Sequence, residues 1–365
     1  MKFICYRKDL SEVLKTVIKA AAVKPMTPIL SGIYIKAEGG YLELQANDYT
    51  VGIIARIPVK TEVAGEVVVS AKRLADFVVK FQGDMISADD SNGSLQIRSG
   101  NSIVELLTMD ANDFPKVKSP DSVTNRIKMR ESLLKDLLRK TTFAASVTDY
   151  KPIFTGVMFD IKDDILSLVA TNTHRIALAK TKVSTPDWTA PAVVPAKALN
   201  IVANTLNDDA TPVEMKTDSR HAAFDFQNYT ITVRLLEGGF PPFDKVLLKG
   251  STTQAVLNAK DFKRALELVN VMAKEDEYNT VKLNIASGGI NISSTSPNIG
   301  NAYSSVDAEV TGDDLSIAFD AAYVSDFLKL TEGQINIRFN DRYSPAEFTS
   351  VDDDDFIYIV TPVRV

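Results

Sequence analysis

Cysteine is almost missing from this chain. Cys5 is alone among 365 residues, so an internal disulfide and a zinc site built from thiolates are both excluded. Histidine is nearly as scarce, and His174 with His221 cannot make a His-rich metal centre. No apolar run approaches the roughly 20 residues that a membrane helix needs. The opening MKFICYRKDL has no apolar core of the kind a secretory signal carries, and the cytoplasm is the expected location. Phosphate loops of the GxxxxGK[ST] type, a GxGxxG after a strand and a GxSxG elbow are all missing. With no nucleophile–base pair and no metal cluster, the expectation is a binding protein, not an enzyme, with no cofactor. Positive charge is also in deficit. Lys and Arg number 41 against 47 Asp and Glu, a formal charge of −6, which at first sight argues against a nucleic-acid partner.

What is present is ordinary globular composition, 45% hydrophobic and 24% charged, at a length that suggests two or three domains. A long internal repeat decides between them. Residues 42–46 read LELQA, 166–170 read LSLVA and 290–294 read INISS, with steps of 124 residues. The run from Val68 to Leu74 recurs as Val193 to Leu199, a shift of 125, and Asp113-Phe114-Pro115 recurs as Gly239-Phe240-Pro241, a shift of 126. Asp9-Leu10 reappears as Asp261-Phe262, a shift of 252. The expected domains are therefore 1–124, 125–251 and 252–365, each of normal size.

Each copy has the same layout. An amphipathic helix comes first: Leu10, Val13, Leu14, Val17, Ile18 and Ala21 share one face in copy one, and Asp9 with Glu12 resembles a capping box. Leu133, Leu134, Leu137 and Leu138 open copy two, and Phe262, Ala265, Leu266 and Val269 open copy three. Hairpins follow around Gly39-Gly40, Asp163-Asp164 and Gly288-Gly289. A second helix then carries Leu74, Phe77, Val78 and Phe81, with counterparts at Leu199 to Leu206 and Tyr323 to Leu328. More short strands close each copy. The fold class is α+β, with two helices per domain segregated to one face of antiparallel sheets.

Charge is divided between these elements. With helices at 7–24, 71–82, 126–140, 196–207, 260–274 and 320–329, the helices hold 20 basic and 9 acidic residues, a net +11, and the remainder holds −17. Lys and Arg are good helix formers on solvated faces, but Glu is equally good and is scarce here. The excess points to a polyanion facing the helical layer. No exposed aromatics interleave with it and no recognition motif accompanies it, so backbone contact without sequence readout is expected. The acidic runs Asp89-Asp90 and Asp352–Asp355 leave a metal-dependent hydrolase as the alternative reading.

Lys24-Pro25-Met26-Thr27-Pro28-Ile29-Leu30, Thr171-Asn172-Thr173-His174-Arg175, Gly239-Phe240-Pro241 and Thr361-Pro362-Val363-Arg364-Val365, with the MKF start and three repeats, resemble the bacterial DNA polymerase III beta subunits, the sliding clamps. The resemblance spans the whole chain. It implies a homodimer closed head to tail into a ring around double-stranded DNA, helices inward and sheets outward. It also implies that the polymerase III alpha subunit, an ATP-using clamp loader and other proteins with a clamp-binding motif are partners, and that the chain has no catalytic activity of its own. A clamp-like paralogue outside bulk replication is the nearer alternative.

The resemblance further implies site residues. A partner-peptide pocket would use Lys151, Phe154, Thr171, Thr173, His174, Arg175, Ile176, Pro241, Lys245, Val246, Val360, Thr361, Pro362, Val363 and Arg364. Thr173 stands where the family often has Gly, Thr361 where it has Met and Val365 where it has Leu. The dimer contact would set Val104 and Leu106 against Met272 and Ala273. Lys24, Lys72, Arg73, Lys135, Arg139, Lys197, Lys263 and Arg264 are the DNA-facing candidates.

Overall fold

The computed structural model describes residues 1–364 apart from 92, 121, 149, 185, 275–278 and 298. Its α-helices are α1 (Arg7–Val17), α2 (Ala71–Lys80), α3 (Glu131–Thr141), α4 (Ala196–Ala203), α5 (Ala259–Ala273) and α6 (Ala321–Leu328). The strand pairs with a described register are antiparallel, both those joined by short turns and those from distant segments. The repeat is visible in the elements themselves. The first hairpin strands begin at Gly32, Gly156 and Thr280, steps of 124, and α2, α4 and α6 begin at 71, 196 and 321, steps of 125.

The chain divides into two compact units, Met1–Asp136 with Ser184–Leu236 and Leu137–Val183 with Glu237–Val365. The first unit holds a five-stranded sheet in the order Lys60–Val63, Lys2–Tyr6, Met85–Ser91, Ser94–Ser99, Ser102–Leu107. It also holds an eight-stranded sheet that runs Asn125–Arg130, Pro212–Thr217, His221–Phe226, Tyr229–Arg234, Val51–Pro58, Tyr41–Asn47, Gly32–Glu38, Gly65–Ser70. Repeats one and two thus share one sheet, through the pairing of Ile231 with Ile53. Alternation along each strand sends one apolar row inward. Leu10 of α1 and Leu74 of α2 meet Phe3, Ile35, Leu42 and Ile97 from the two sheets in one core.

In the second unit the larger sheet runs Gly156–Lys162, Ile165–Thr171, Arg175–Lys182, Asp353–Val360, Ala346–Ser350, Gln334–Phe339, Thr253–Asn258, Glu309–Gly312. A four-stranded sheet runs Gly300–Asp307, Gly289–Ser296, Thr280–Ala286, Leu315–Asp320. Helices α5 and α6 pack together. An aromatic cluster fills the core beneath α6: the Phe327 ring lies 5.6–5.8 Å from those of Phe348, Phe356 and Tyr358.

Three expectations about helices are corrected. The first helix does not reach residue 24. It ends at Val17, a 3₁₀ turn covers Ile18–Ala20, and Lys24 lies beyond in a loop with φ 53°. Asp9 is not a cap, because the strand Lys2–Tyr6 runs straight into α1 and the Arg7 N–H is satisfied by the Asp84 carbonyl at 2.8 Å. Residues 126–130 are strand, not helix, because Ile127 and Met129 alternate inward with a period of two while Arg126, Lys128 and Arg130 face out. These shifts shrink the charge contrast. The observed α-helices carry 13 basic and 8 acidic residues, a net +5, leaving −11 elsewhere. The sign of the contrast survives at less than half of its expected size on the helices.

Candidate partner-binding site

The turn between Ile165–Thr171 and Arg175–Lys182 is set by short polar side chains. Asn172 Oδ1 accepts the backbone N–H groups of His174 and Arg175, each at 3.1 Å, and Thr171 Oγ1 donates to the Arg175 carbonyl at 2.7 Å. Thr173 takes φ 77°, the left-handed region in which glycine is at ease and a β-branched residue is not. The turn lifts the His174 side chain to the surface and sends Arg175 inward.

Arg175 is 9% exposed and is held through both terminal nitrogens, while its buried Nε has no hydrogen-bond partner among the described residues. Nη1 donates to Asp326 Oδ2 at 2.6 Å and to the Tyr358 hydroxyl at 3.4 Å, and Nη2 donates to the Phe143 carbonyl at 2.5 Å. The guanidinium lies 5.2 Å from the Phe143 ring centre and 4.6 Å from that of Tyr323. Burial by itself would lower its pKa, but Tyr358 and Asp326 favour the cation more, and the net shift is upward. Burial also drives the Tyr358 phenol well above its ordinary range, against the opposing pull of Arg175. Tyr323 in turn stacks on His174, ring centres 6.4 Å and planes 17° apart.

This pair of rings separates two cavities. One, of about 530 Å³, is lined by the expected Lys151, Phe154, Thr173, His174 and Arg175, together with Ala145–Thr148, Tyr150, Asn172 and Tyr323. Lys151 Nζ stands 5.9 Å over the Phe154 ring. The other, of about 340 Å³, is lined by His174 and Tyr323 again, with the expected Thr361, Pro362 and Val363 and with Asn279 and Asp320. The chain end is tied there: Thr361 donates its N–H and its Oγ1 to the His174 carbonyl, both at 2.9 Å, and the Val363 N–H bonds the Ala318 carbonyl at 2.8 Å. Apolar walls, stacked aromatics and a few fixed polar groups suit an extended peptide with apolar anchors.

The remaining expected residues fall elsewhere. Thr171 and Val360 are buried scaffold, and Ile176 is half-buried in the sheet opposite Ile359. Pro241, Lys245 and Val246 line neither cavity; Phe243–Lys245 forms a 3₁₀ turn closed by the Val246 N–H. Arg364 is exposed away from both, and Val365 lies outside the described residues. Tyr323 is the residue that sequence reasoning missed. It reads there as one more apolar position of a helix, and only the fold turns it towards His174.

At the expected dimer contact, the side chains that face out differ from those chosen. Val104 and Leu106 sit opposite Ile97 and Leu95, on the inward row, and Ala273 is fully buried. The exposed apolar residues are Ile103 and Leu107 on the edge strand Ser102–Leu107, and Leu268 and Val271 on α5. Met272 is half-buried. Among the basic candidates, Lys72, Arg73, Arg139, Lys197 and Arg264 are exposed on helices. Lys263 is half-buried, and Lys135 is paired with Asp208 at 2.9 Å.

The hydrolase alternative finds no centre. Asp353 is taken by Lys140 at 2.8 Å, and among the described residues no three His, Cys, Asp or Glu side chains gather closely enough to hold a metal ion. No helix among them is long and apolar enough to cross a membrane.

Comparison with known proteins agrees across the chain. Models of the N-terminal, central and C-terminal domains of the DNA polymerase III beta subunit match residues 1–118, 128–242 and 244–364. The beta sliding clamp of Bacillus subtilis is 30% identical, and that of Halalkalibacterium halodurans 28%, each over the full length of both chains. The solved Bacillus subtilis clamp superposes with a TM-score of 0.95 at 30% identity, covering 100% of this chain and 99% of its own. A Pseudomonas aeruginosa clamp solved with griselimycin bound superposes at 0.96 with 26% identity and full coverage of both chains. The chain belongs to the DNA polymerase III beta subunit family, the bacterial beta sliding clamps.

Proposed function

We propose that this protein is a DNA sliding clamp. It is a homodimeric ring that encircles duplex DNA without reading sequence and tethers the replicative polymerase for processive synthesis. It has no catalytic activity; the polymerase, the clamp loader and other partners supply the chemistry. The observation that carries this is likeness over the whole chain, three repeats included, to proteins that are themselves sliding clamps. The physics is topological. A closed ring stays on DNA without tight binding, so weak, salt-sensitive phosphate contacts suffice and permit sliding. A modest net +5 on the helices suits that task, and the deficit of positive charge in the whole chain does not oppose it.

Several finer assignments belong to the same reading. The domain boundaries lie near residues 124 and 251. The DNA-facing set is Lys72, Arg73, Arg139, Lys197, Lys263 and Arg264 with Lys24 and Lys135 beside them. The subunits meet through the edge strand Ser102–Leu107 and α5, whose exposed Ile103, Leu107, Leu268 and Val271 support an apolar contact. Partner peptides dock in the two cavities beside His174 and Tyr323. The protein works in the cytoplasm, where replication takes place.

The test is retention on DNA. Loaded by its clamp loader, the protein should stay on a nicked circle and leave within seconds once the circle is cut. A monomer in solution, or equal retention on circular and linear DNA, would overturn the ring.

A further inference from the structure

A third cavity, of about 410 Å³, lies wholly within the first unit and has no part in the site above. It sits on the face of the eight-stranded sheet opposite the buried row, where the segment Pro115–Lys118 crosses the strands. Two bonds hold that segment: Asn47 Nδ2 donates to the Pro115 carbonyl and the Val117 N–H donates to Gln45 Oε1, both at 2.9 Å. Gly52 makes the crossing possible, because a Cβ there would stand 2.7 Å from a Val117 methyl carbon.

The chemistry of the lining is one-sided. In a chain of net charge −6, the cavity lining holds Lys116, Lys118 and Arg234 and no carboxylate, with His221 beside them, its Nδ1 3.6 Å from Asp218 Oδ1. Lys116 reaches out to Glu66 at 3.6 Å, and Lys118 is exposed with no acidic partner among the described residues. Thr232 is 6% exposed, lines the cavity, and its Oγ1 has no hydrogen-bond partner among the described residues. Tyr49, 63% exposed, stands at the rim.

We infer that this cavity is a second docking site on each chain, for an acidic peptide segment of a partner protein. One carboxylate would sit between Lys116 and Lys118, where charge-assisted hydrogen bonds favour it. A polar group of the peptide would satisfy the Thr232 hydroxyl, and an aromatic or aliphatic side chain would lie on Tyr49. The peptide chemistry differs from that of the first site, whose walls are mainly apolar and aromatic.

The probe is a fluorescein-labelled peptide of Asp and Glu with one central Phe, titrated with the full-length protein at physiological ionic strength and read by fluorescence anisotropy. Saturable binding is expected. Lys118→Glu, at a surface position whose loss cannot unfold the chain, should weaken it by about tenfold. Thr232→Val should weaken it by about threefold with an unchanged circular dichroism spectrum, and His174→Ala should leave it unaltered. Absence of saturable binding, indifference to Lys118→Glu, or equal loss in His174→Ala would overturn the proposal. So would displacement of the peptide by equimolar inorganic phosphate, which would make the cavity a simple anion site, or by a short DNA duplex, which would make it a nucleic-acid contact.

Discussion

At residues 48 and 172 the chain makes one turn twice. Asp48 Oδ1 accepts the backbone N–H groups of Thr50 and Val51 at 2.9 and 2.7 Å, as Asn172 Oδ1 accepts those of His174 and Arg175. The next residue is left-handed in both, Tyr49 at φ 69° and Thr173 at φ 77°. What differs is the residue that follows the turn inward. Val51 enters the sheet as one more apolar side chain, whereas Arg175 brings a charge that needs Asp326, Tyr358 and the Phe143 carbonyl around it. Those partners fix Tyr323, and Tyr323 with His174 makes two cavities. The first-repeat turn instead leaves Tyr49 at the rim of a basic cavity under the Pro115–Lys118 crossing. A repeated backbone thus lies beside cavities of different chemistry, with an apolar residue at the buried position in one turn and a cation in the other.

Substitutions at matched positions test that contrast. The largest effect is expected for Arg175→Ala, which leaves Asp326 with Lys329 alone and opens the aromatic stack. It should cost about 3–5 kcal/mol in chemical denaturation and abolish partner-peptide binding, whereas Val51→Ala should cost on the order of 2 kcal/mol and spare that binding. Equal losses at the two positions would break the contrast. His174→Ala should come next, weakening a polymerase-derived peptide by about tenfold, or 1.4 kcal/mol, with stability unchanged; deletion of Val363–Val365 should act in the same direction and leave the dimer intact. Asn172→Ala and Asp48→Ala should each cost about 1 kcal/mol, and a large difference between them would show that the turns are not equivalent. The smallest effect is a gain. Thr173→Gly should stabilise by up to about 1 kcal/mol, and Tyr49→Gly by less, since Thr is β-branched and Tyr is not.

Alkaline pH acts on the second turn through Tyr358, which Arg175 touches. The folded Tyr358 phenol has a raised pKa, so the folded state holds a proton that the unfolded chain releases near pH 10. Stability from this group is therefore complete below about pH 10 and declines as the pH rises beyond it. Tyr358→Phe should flatten that decline in urea titrations; an unchanged slope would show that Tyr358 is not the group responsible.

Much of this was legible in the residues. The steps of 124 and 125 survive intact in the hairpins and in α2, α4 and α6, because a repeat in sequence period is a repeat in folded element. The turn at Thr171–Arg175 was legible as polar punctuation between apolar strands. The helix limits were less so. Lys19 and Lys24 continue a basic helical pattern, yet the chain leaves the helix at Ala20, where Ala22 turns to bond the Leu30 carbonyl. Arg126, Lys128 and Arg130 look helical by charge, and only their pairing with Lys216, Glu214 and Pro212 makes them strand. The resemblance implies Val104 and Leu106 for the dimer contact, but the period of two along that strand turns Ile103 and Leu107 outward instead.

By itself the sequence determined three domains of one kind, their α+β layout, the family and the segment of the candidate partner site. Local periodicity and short-range hydrogen bonding suffice for those, and both are written along the chain. Tertiary structure decided which side chains meet. Tyr323 is 149 residues from His174, and Asp326 is 151 from Arg175. Their contacts exist only because α6 packs against the strand Asp353–Val360, which pairs with the strand Arg175–Lys182. The same holds for the basic cavity, where Lys118 and Thr232 stand 114 residues apart until one shared sheet brings them together.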